Sequence, residues 1–231
     1  MKLAGRVLGI LLFAVLSRAY AEDALPSQRE FEPQSGKGRV VLVISGQTGS
    51  DNYAYYAQDL AEKGYYAVLV DGNNLWIKGG GGEALLKGII ARAQQSPHAM
   101  PGKAAVIGFS LGGASSLTYA ARMPELVSAV VVSYPDTQYI TNADYFVSKM
   151  KVPTLVFAGG RDTYKDCCLI ETARKLASAA KALGGKPMLE VIEFPNAGHG
   201  WTIRALKSYR GDITAEGFKR TLEFLRQNSG E

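Results

Sequence analysis

Three polar residues follow short apolar runs typical of buried strands, and together they have the residue types needed for acyl transfer. Ser110 follows AAVIGF within the pentapeptide GFSLG, Asp162 follows TLVFAGGR, and His199 follows VIEFPNAG. A serine hydroxyl becomes a good nucleophile when an adjacent base takes its proton and a third group orients that base. The order Ser, Asp, His along the chain therefore predicts a hydrolase with a nucleophilic serine.

The pentapeptide around Ser110 has a structural interpretation as well as a catalytic one. A serine at the start of a helix is a common N-cap, because its hydroxyl accepts a hydrogen bond from a free backbone N–H. The pattern G-x-S-x-G also arises by chance in a chain with 26 glycines. The context favours the nucleophile, because AAVIGF predicts a strand before Ser110 and LGGASSLTYAARM predicts a helix after it.

The chain has two histidines, and their positions relative to the predicted strands distinguish them. His199 leaves the carboxyl end of a strand, where open parallel sheets bind ligands, whereas His98 precedes a strand. His199 is therefore the predicted base. Asp162 lies nearer to a strand end than Asp166 or Asp136, and it is the predicted acid that orients the imidazole and stabilises its cationic form. A helix cap or an ion pair with a neighbouring arginine is the structural alternative for Asp162.

An acyl-transfer site also needs two N–H donors that face the developing oxyanion. The N–H of Leu111, directly after the serine, is one candidate. The loop ISGQTGSD after the first core strand offers the second candidate at Gln47, because Gly46 permits a tight turn there. An ordinary glycine-rich turn is the alternative for this loop.

The elements that must carry these residues alternate between strands and helices. Continuous β-branched runs such as RVVLVIS indicate strands buried on both faces, and amphipathic segments indicate helices between them. The alternation predicts an α/β domain over residues 39–231, with a mainly parallel, twisted sheet and helices on both faces. Residues 22–38 are polar and predict an extended lead-in with at most one edge strand. Predicted strands lie near residues 39–45, 65–71, 104–109, 128–134, 153–159 and 187–194, and predicted helices near 52–64, 83–95, 111–123, 170–183 and 214–227.

Residues 39–224 resemble the α/β-hydrolase fold, and more narrowly the dienelactone hydrolase family. The motifs GFSLGG, AGGRDTYKD and NAGHGW carry the likeness in their order and spacing. The resemblance implies a nucleophile at Ser110, an acid at Asp162, a base at His199 and oxyanion donors at Gln47 and Leu111. The namesake enzymes of the family carry cysteine at the position of Ser110, so a general ester hydrolase is the inference drawn from the likeness.

The predicted function is hydrolysis of carboxylic esters or lactones of small, accessible substrates through an acyl-enzyme. Two other functions are compatible with the same features. A peptidase or amidase relies on the same three residues, and a scaffold can keep the fold yet bind a ligand without turnover. The combination of Ser110, Asp162 and His199 favours an enzyme, because a binding module does not need the three together. Residues 135–152 are too few for a multi-helix lid, so we expect an open site without a large lid.

The first 21 residues have the pattern of a secretory signal peptide. Lys2 and Arg6 precede the apolar run Val7–Leu16, and Ala19–Ala21 form an A-x-A cleavage site. The apolar run is too short for a bilayer span, which takes about 20 residues. We therefore expect a periplasmic or secreted protein, cleaved near Ala21 and without stable membrane insertion.

Charge and composition bear on the classes of partner. Three of the 26 basic residues but none of the 21 acidic residues lie in the first 21 positions, which leaves the rest of the chain at a net charge of +2. The absence of a basic cluster argues against nucleic acid as a partner. No Cys/His cluster has metal-ligand spacing, and the glycine run 79–82 lacks the Lys-Ser/Thr of a phosphate loop, so we expect neither a metal nor another cofactor. The sequence leaves the oligomeric state open.

The two cysteines of the chain, Cys167 and Cys168, are adjacent. Neighbouring Cα atoms are about 3.8 Å apart, below the usual separation in disulfides, so two reduced thiols are as compatible with the sequence as a disulfide. We predict an intramolecular disulfide, because the chain is expected to reach an oxidising compartment and the bridge would stiffen the loop that holds Asp162.

Aromatic residues in predicted loops on the catalytic side are candidates for an acyl or alcohol pocket, with ordinary packing as the alternative for each. They are Tyr134, Tyr139, Tyr145, Tyr164 and Trp201.

Overall fold

The computed structural model describes residues 25–76, 81–184 and 188–228. The predicted signal peptide, residues 1–21, lies outside this part of the chain. The strands are β1 (Gln28–Phe31), β2 (Val40–Ile44), β3 (Tyr66–Val70), β4 (Ala104–Phe109), β5 (Val127–Ser133), β6 (Thr154–Gly159) and β7 (Leu189–Phe194). The α-helices are α1 (Ala54–Glu62), α2 (Gly82–Gln94), α3 (Leu111–Thr118), α4 (Ala143–Ser148), α5 (Ile170–Ala182) and α6 (Gly211–Gln227).

The strands form one sheet in the order β1-β3-β2-β4-β5-β6-β7. Strand β1 runs antiparallel to β3, and each of the other neighbouring pairs is parallel. This mostly parallel sheet with helices on both faces is the α/β-hydrolase fold that the motifs predicted. Among the described helices, none combines the length and the apolar content that a membrane span requires.

Both faces of the sheet are covered, which explains why the central strands are apolar at every position. In β2, Val40, Leu42 and Ile44 point into one hydrophobic core, and Val41 and Val43 point into the other. Helices α2, α3, α4 and α5 contribute side chains to the first core, and α1 and α6 contribute to the second. Side chains of a strand alternate between its faces, so a strand between two helical layers needs no polar position.

The predicted lead-in contains the edge strand β1, and its side chains pack against both hydrophobic cores. Strand β1 pairs residue by residue with β3, as from Gln28 with Val70 to Phe31 with Ala67. Phe31 packs against the core that includes α1, while Leu25 packs against the core that includes α2. The lead-in therefore covers the outer edge of β3 and both adjacent core margins.

The helix after Ser110 ends at Thr118 and not near Met123. Two other elements differ from the sequence-based expectation. The segment 135–152 contains the short helix α4, which was not predicted, and Phe146 and Val147 anchor it to the core. The last helix begins at Gly211 and not near Thr214, and Asp212 in its first turn pairs with Arg210 at an Nη2–Oδ2 distance of 2.8 Å. Neither difference adds a large lid over the carboxyl ends of the strands.

The parallel strands send their following loops to the same edge of the sheet. Ser110 follows β4, Asp162 lies three residues after the end of β6, and His199 lies in the loop after β7. His98 lies at the opposite edge, where its ring nitrogen Nδ1 is 2.9 Å from the carbonyl oxygen of Gly36. The topology therefore brings one histidine to the predicted site and keeps the other away from it.

Candidate active site

Ser110 lies at a sharp turn between β4 and α3. Its backbone has φ 50° and ψ −113°, in the positive-φ region that side-chain-bearing residues seldom adopt. Three backbone hydrogen bonds hold the turn: the N–H of Ser110 donates to Ser133, and its carbonyl oxygen accepts from Ala114 and Asp136. This is the geometry of a nucleophile elbow, in which a strained turn exposes the serine hydroxyl above the sheet.

The glycines around Ser110 are required by the closeness of neighbouring backbone. A Cβ on Gly108 would lie 2.5 Å from the carbonyl oxygen of Gly112, and one on Gly112 would lie 2.3 Å from that of Ile44. A Cβ on Gly113 would lie 2.8 Å from the Cβ of Pro135. The glycines of GFSLGG therefore allow α3 to pack close to the ends of β2 and β5. A side chain at any of these glycine positions would clash.

His199 joins Ser110 to Asp162 through its two ring nitrogens. Ser110 Oγ lies 3.0 Å from His199 Nε2, and His199 Nδ1 lies 2.9 Å from Asp162 Oδ2. The Asp162 side chain is fully buried, and its other oxygen, Oδ1, accepts a hydrogen bond from the N–H of Tyr164 at 3.2 Å. A buried carboxylate with both oxygens bonded favours a proton on Nδ1, which leaves Nε2 free to accept the serine proton.

Backbone contacts between the loops after β6 and β7 set the distance between Asp162 and His199. The N–H of Gly160 donates to Phe194, and the N–H of Arg161 donates to Ala197 at 2.9 Å. A Cβ on Gly160 would lie 2.7 Å from the carbonyl oxygen of Pro195. The two glycines of AGGRD thus allow the acid-bearing loop to run against the loop that carries the histidine.

Tyr164 contacts the histidine in a way that the sequence did not indicate. Its ring stacks on the imidazole of His199, with ring centroids 4.5 Å apart and an angle of 12° between the planes. The Tyr164 hydroxyl accepts a hydrogen bond from Gln47 Nε2 at 2.5 Å, which links the loop after β2 to the loop after β6. Lys165 and Asp166, which follow Tyr164, both have positive φ angles of 49° and 54°.

The two predicted oxyanion donors belong to the residue after Ser110 and to the loop after β2. Leu111 is the first residue of α3, so its N–H has no acceptor within the helix. Gly46 precedes Gln47, and a Cβ there would lie 3.2 Å from the Cβ of Ser110. The loop after β2 therefore approaches the serine closely, and Gln47 lines the same cavity as Ser110.

Two further buried tyrosines, Tyr134 and Tyr53, are uncharged hydrogen-bonding groups at the site, and the first of them contacts the histidine. Tyr134 is buried, contacts the His199 ring edge-on at 5.0 Å between centroids, and shares a hydrogen bond with Thr202. Burial raises the pKa of Tyr134 well above its ordinary value and raises that of Tyr53 as well. Both phenols therefore stay protonated and act as hydrogen-bonding groups without charge. Trp201 packs against Tyr134 with ring centroids 4.5 Å apart, away from the cavity.

A cavity of about 590 Å³ opens in front of the serine and the histidine. Its volume is in the range of small-molecule sites. Among the predicted pocket aromatics, Tyr164 lines the cavity; Tyr139 packs against Trp76 and Phe146 instead, and Tyr145 is exposed on α4. The sequence reasoning missed part of the lining, which includes Tyr53, Arg161, Ile203, Leu206 and Lys207.

Cys167 and Cys168 form a vicinal disulfide just beyond the strained residues of the Asp162 loop. The two Sγ atoms and a ring nitrogen of His199 all lie within 4.8 Å of one another. The sequence predicted no metal site because no cluster had ligand spacing, and this grouping spans parts of the chain that are distant in sequence. Folding therefore brings together three residues whose side chains can bind metals, with the two sulfurs bonded to each other.

Comparisons with known proteins agree with this architecture. A profile of the dienelactone hydrolase family matches residues 73–229. The "Putative carboxymethylenebutenolidase" of Yersinia pestis is 31% identical over 134 residues, which cover 54% of this chain and 47% of that protein. The chain thus spans about half the length of this curated relative.

Solved structures with low sequence identity share the fold. A dienelactone hydrolase-like promiscuous phosphotriesterase from metagenomic libraries is 18% identical with a TM-score of 0.67, over 87% of this chain and 98% of that chain. A dienelactone hydrolase from Anabaena variabilis is 21% identical with a TM-score of 0.63, over 87% of this chain and 91% of that chain. Because the family profile covers more than half of the sequence and the fold agrees with it, the chain belongs to the dienelactone hydrolase family.

Proposed function

We propose that the protein is an exported serine hydrolase that cleaves small carboxylic esters or lactones through an acyl-enzyme. The observation that carries this proposal is the continuous pair of short contacts, Ser110 Oγ to His199 Nε2 at 3.0 Å and His199 Nδ1 to Asp162 Oδ2 at 2.9 Å. Relatives named for the hydrolysis of lactones support the substrate class. The proposal extends beyond family membership to the residues that perform the reaction.

In the proposed reaction, Ser110 Oγ attacks the ester carbonyl carbon while His199 Nε2 takes the hydroxyl proton. Asp162 holds the proton on Nδ1 and stabilises the imidazolium that forms. The carbonyl oxygen becomes an oxyanion, which the N–H groups of Leu111 and Gln47 stabilise. The imidazolium then gives its proton to the leaving alkoxide, and the acyl group stays on Ser110.

Water completes the cycle by the same route in reverse. His199 takes a proton from a water molecule that attacks the acyl carbon, and the tetrahedral intermediate collapses to release the acid and Ser110. The substrate must fit a cavity of about 590 Å³ that has apolar walls at Ile203 and Leu206 and cations at Arg161 and Lys207. These features support small substrates with one short apolar part.

A paired assay tests the reaction class. We expect the purified protein to hydrolyse p-nitrophenyl butyrate, to be labelled by a fluorophosphonate, and to lose both properties in Ser110→Ala. His199→Ala should lose activity to the same extent, because serine and base act as a unit. His98→Ala, at the opposite edge of the sheet, serves as the matched control and should stay near wild type. Fluorophosphonate labelling that persists in Ser110→Ala would overturn the assignment of the nucleophile.

The same preparation separates the two competing functions. A matched p-nitroanilide of the same acyl group is expected to react far more slowly than the ester. Faster cleavage of the anilide would indicate an amidase, and binding of esters without any turnover would indicate a scaffold.

Export is a separate part of the proposal and rests on the pattern of residues 1–21. Expression in a Gram-negative host, followed by cell fractionation and intact-mass measurement, tests it. We expect a periplasmic or secreted product whose mass corresponds to cleavage near Ala21, and a full-length cytoplasmic product would contradict export.

A further inference from the structure

The vicinal disulfide lies beside the proposed catalytic base. Cys167 and Cys168 are each 5% exposed, and both Sγ atoms lie within 4.8 Å of a ring nitrogen of His199. A disulfide sulfur is a poor metal ligand, whereas a thiolate binds metals strongly. The chemistry available at this position therefore depends on whether the two sulfurs are bonded to each other.

Two thiolates and an imidazole form a common ligand set for Zn²⁺ and related cations, with a fourth position for water or substrate. At Zn–S and Zn–N distances of about 2.3 Å and 2.0 Å, tetrahedral donors lie about 3.5–3.8 Å apart. Breaking the disulfide lets the two sulfurs move apart to a non-bonded separation, and both already lie within 4.8 Å of the His199 nitrogen. Shifts on the order of 1 Å for each donor atom therefore bring the set to ligand spacing. Side-chain rotation at two cysteines provides a movement of this size.

The backbone of the cysteine pair is held by contacts that do not depend on the disulfide. The carbonyl oxygen of Cys167 accepts hydrogen bonds from the Thr137 N–H at 2.8 Å and from Thr137 Oγ1 at 3.3 Å. The N–H of Cys167 donates to Tyr164 at 3.0 Å. After reduction, these bonds hold the backbone of Cys167 in place, and Cys168 stays beside it as the next residue in the chain.

We propose that reduction of the Cys167–Cys168 disulfide creates a site for a thiophilic divalent cation, Zn²⁺ or Cd²⁺, formed by Cys167, Cys168 and His199. A dithiol supplies the two electrons and two protons: its thiolate attacks one sulfur, its second thiol closes a ring, and two cysteine thiols are released. The cation then binds as the two thiol protons leave. No further oxidant or reductant is needed.

Binding of the cation blocks hydrolysis, a consequence that rests on the proposed function. Each ring nitrogen of His199 already has a partner, Nε2 with Ser110 and Nδ1 with Asp162. Coordination through either nitrogen replaces one of these two contacts. The reduced, metal-bound protein therefore lacks either its base or the orientation of that base.

Metal binding is measured first, without reference to activity. The protein is reduced with dithiothreitol, freed of it by anaerobic gel filtration, and shown by alkylation and intact mass to have two thiols. Titration with Cd²⁺ should then give a thiolate-to-metal charge-transfer band that saturates at one cation per chain. The oxidised protein and the double variant Cys167→Ser, Cys168→Ser should give no band, and His199→Ala should bind at least about tenfold more weakly. A reduced protein without a saturable band, a disulfide that resists reduction in the folded protein, or undiminished affinity in His199→Ala would overturn the site.

Inhibition is measured next on p-nitrophenyl butyrate. We expect Cd²⁺ to inhibit the reduced wild type by at least about tenfold, with recovery on addition of EDTA, and to leave the double serine variant active. Full activity of the Cd²⁺-saturated wild type would refute the inhibition while leaving the hydrolase proposal intact. Activity retained in Ser110→Ala would refute the hydrolase proposal, and the charge-transfer titration would still decide the metal site.

Discussion

Ser110 combines an unfavourable backbone conformation with a position that the proposed reaction requires. A non-glycine residue at φ 50° and ψ −113° costs on the order of 1–3 kcal/mol of folding free energy. Hydrogen bonds to Ser133, Ala114 and Asp136 hold the backbone in this state. The strain turns the hydroxyl toward His199 and away from the capping role that the sequence also allowed, for which no side-chain cap bond is present.

Because of this strain, we expect substitutions of Ser110 to change activity and the free energy of unfolding independently of each other. Ser110→Gly should raise the free energy of unfolding by roughly 1 kcal/mol relative to Ser110→Ala, because glycine adopts positive φ without a steric cost. Both variants lack the hydroxyl, so both should be inactive. Urea unfolding of the pair gives the comparison, and equal stability would show that the turn is unstrained.

The contact between Asp162 and His199 predicts a large effect from a change of one atom. Asp162→Asn keeps the shape of the side chain but favours the wrong imidazole tautomer, so kcat should fall by about 10²–10⁴-fold. Asp166→Asn is the matched control, because Asp166 is exposed at φ 54° and asparagine tolerates that conformation. Steady-state ester hydrolysis measures both, and a milder loss in Asp162→Asn than in Asp166→Asn would move the acid elsewhere.

Removal of the Tyr164 ring, which stacks on His199, should reduce activity less than the change at Asp162. Tyr164→Leu removes the ring and should lower kcat/KM by about 3- to 10-fold, since an aromatic contact contributes about 0.5–1.5 kcal/mol. Tyr164→Phe keeps the stacking and loses only the hydrogen bond from Gln47, so it should retain most of the activity. If Tyr164→Phe were as impaired as Tyr164→Leu, the link to Gln47 would be the important contact.

At the scale of elements, α3 depends on its close approach to β2. Gly112→Ala places a Cβ 2.3 Å from the carbonyl oxygen of Ile44 and 2.5 Å from that of Ser45, so it should destabilise the fold by about 2 kcal/mol or more. Gly217→Ala in α6 is the matched control. Its Cβ meets nothing nearer than the Phe194 ring at 3.9 Å, and alanine should stabilise that helix by about 0.5–1 kcal/mol. Chemical unfolding of both variants checks the opposite signs, and equal shifts would contradict the packing argument.

Most elements were predictable because their patterns span several turns or a whole strand. Strands β2, β3 and β4 are apolar throughout, β5 and β6 are polar only at Ser128, Ser133 and Thr154, and α2 and α5 repeat apolar residues at helical spacing. Helix α4 has six residues, fewer than two turns, so it shows no period and relies on Phe146 and Val147 for its place in the fold.

The residues of the candidate site were predictable only where topology determines them. The rule that parallel strands send their loops to one edge brought Ser110, Asp162 and His199 together before any coordinates. The stacking of Tyr164 and the position of the disulfide depend on the positive φ angles of Lys165 and Asp166. Lysine gives no sign of a positive φ angle and aspartate gives only a weak one, so packing against the loop after β7 decides the turn.

For the molecule as a whole, the disulfide should matter little to stability. A bridge between adjacent residues closes a very small ring and removes little entropy from the unfolded chain, about 1 kcal/mol in the chain-entropy model. Reduction, or the double change Cys167→Ser, Cys168→Ser, should therefore lower Tm by only about 2–4 °C. Calorimetry of oxidised and reduced protein tests this, and a loss of 10 °C or more would give the bridge a structural role.

The sheet order has a consequence for when the protein can act. Strand β7 is the last strand of the described residues and pairs with β6 at the edge of the sheet. His199, the proposed base, follows it, 89 residues after Ser110. A ribosome makes the N-terminal part of a chain first, so Ser110, the proposed nucleophile, is present in the nascent polypeptide before His199 has been made. We therefore expect hydrolytic activity to appear in a single step, when β7 pairs with β6 and brings His199 next to Ser110. If the protein is exported as proposed above and β7 pairs with β6 only after export, the chain would not hydrolyse esters in the compartment in which it is synthesised.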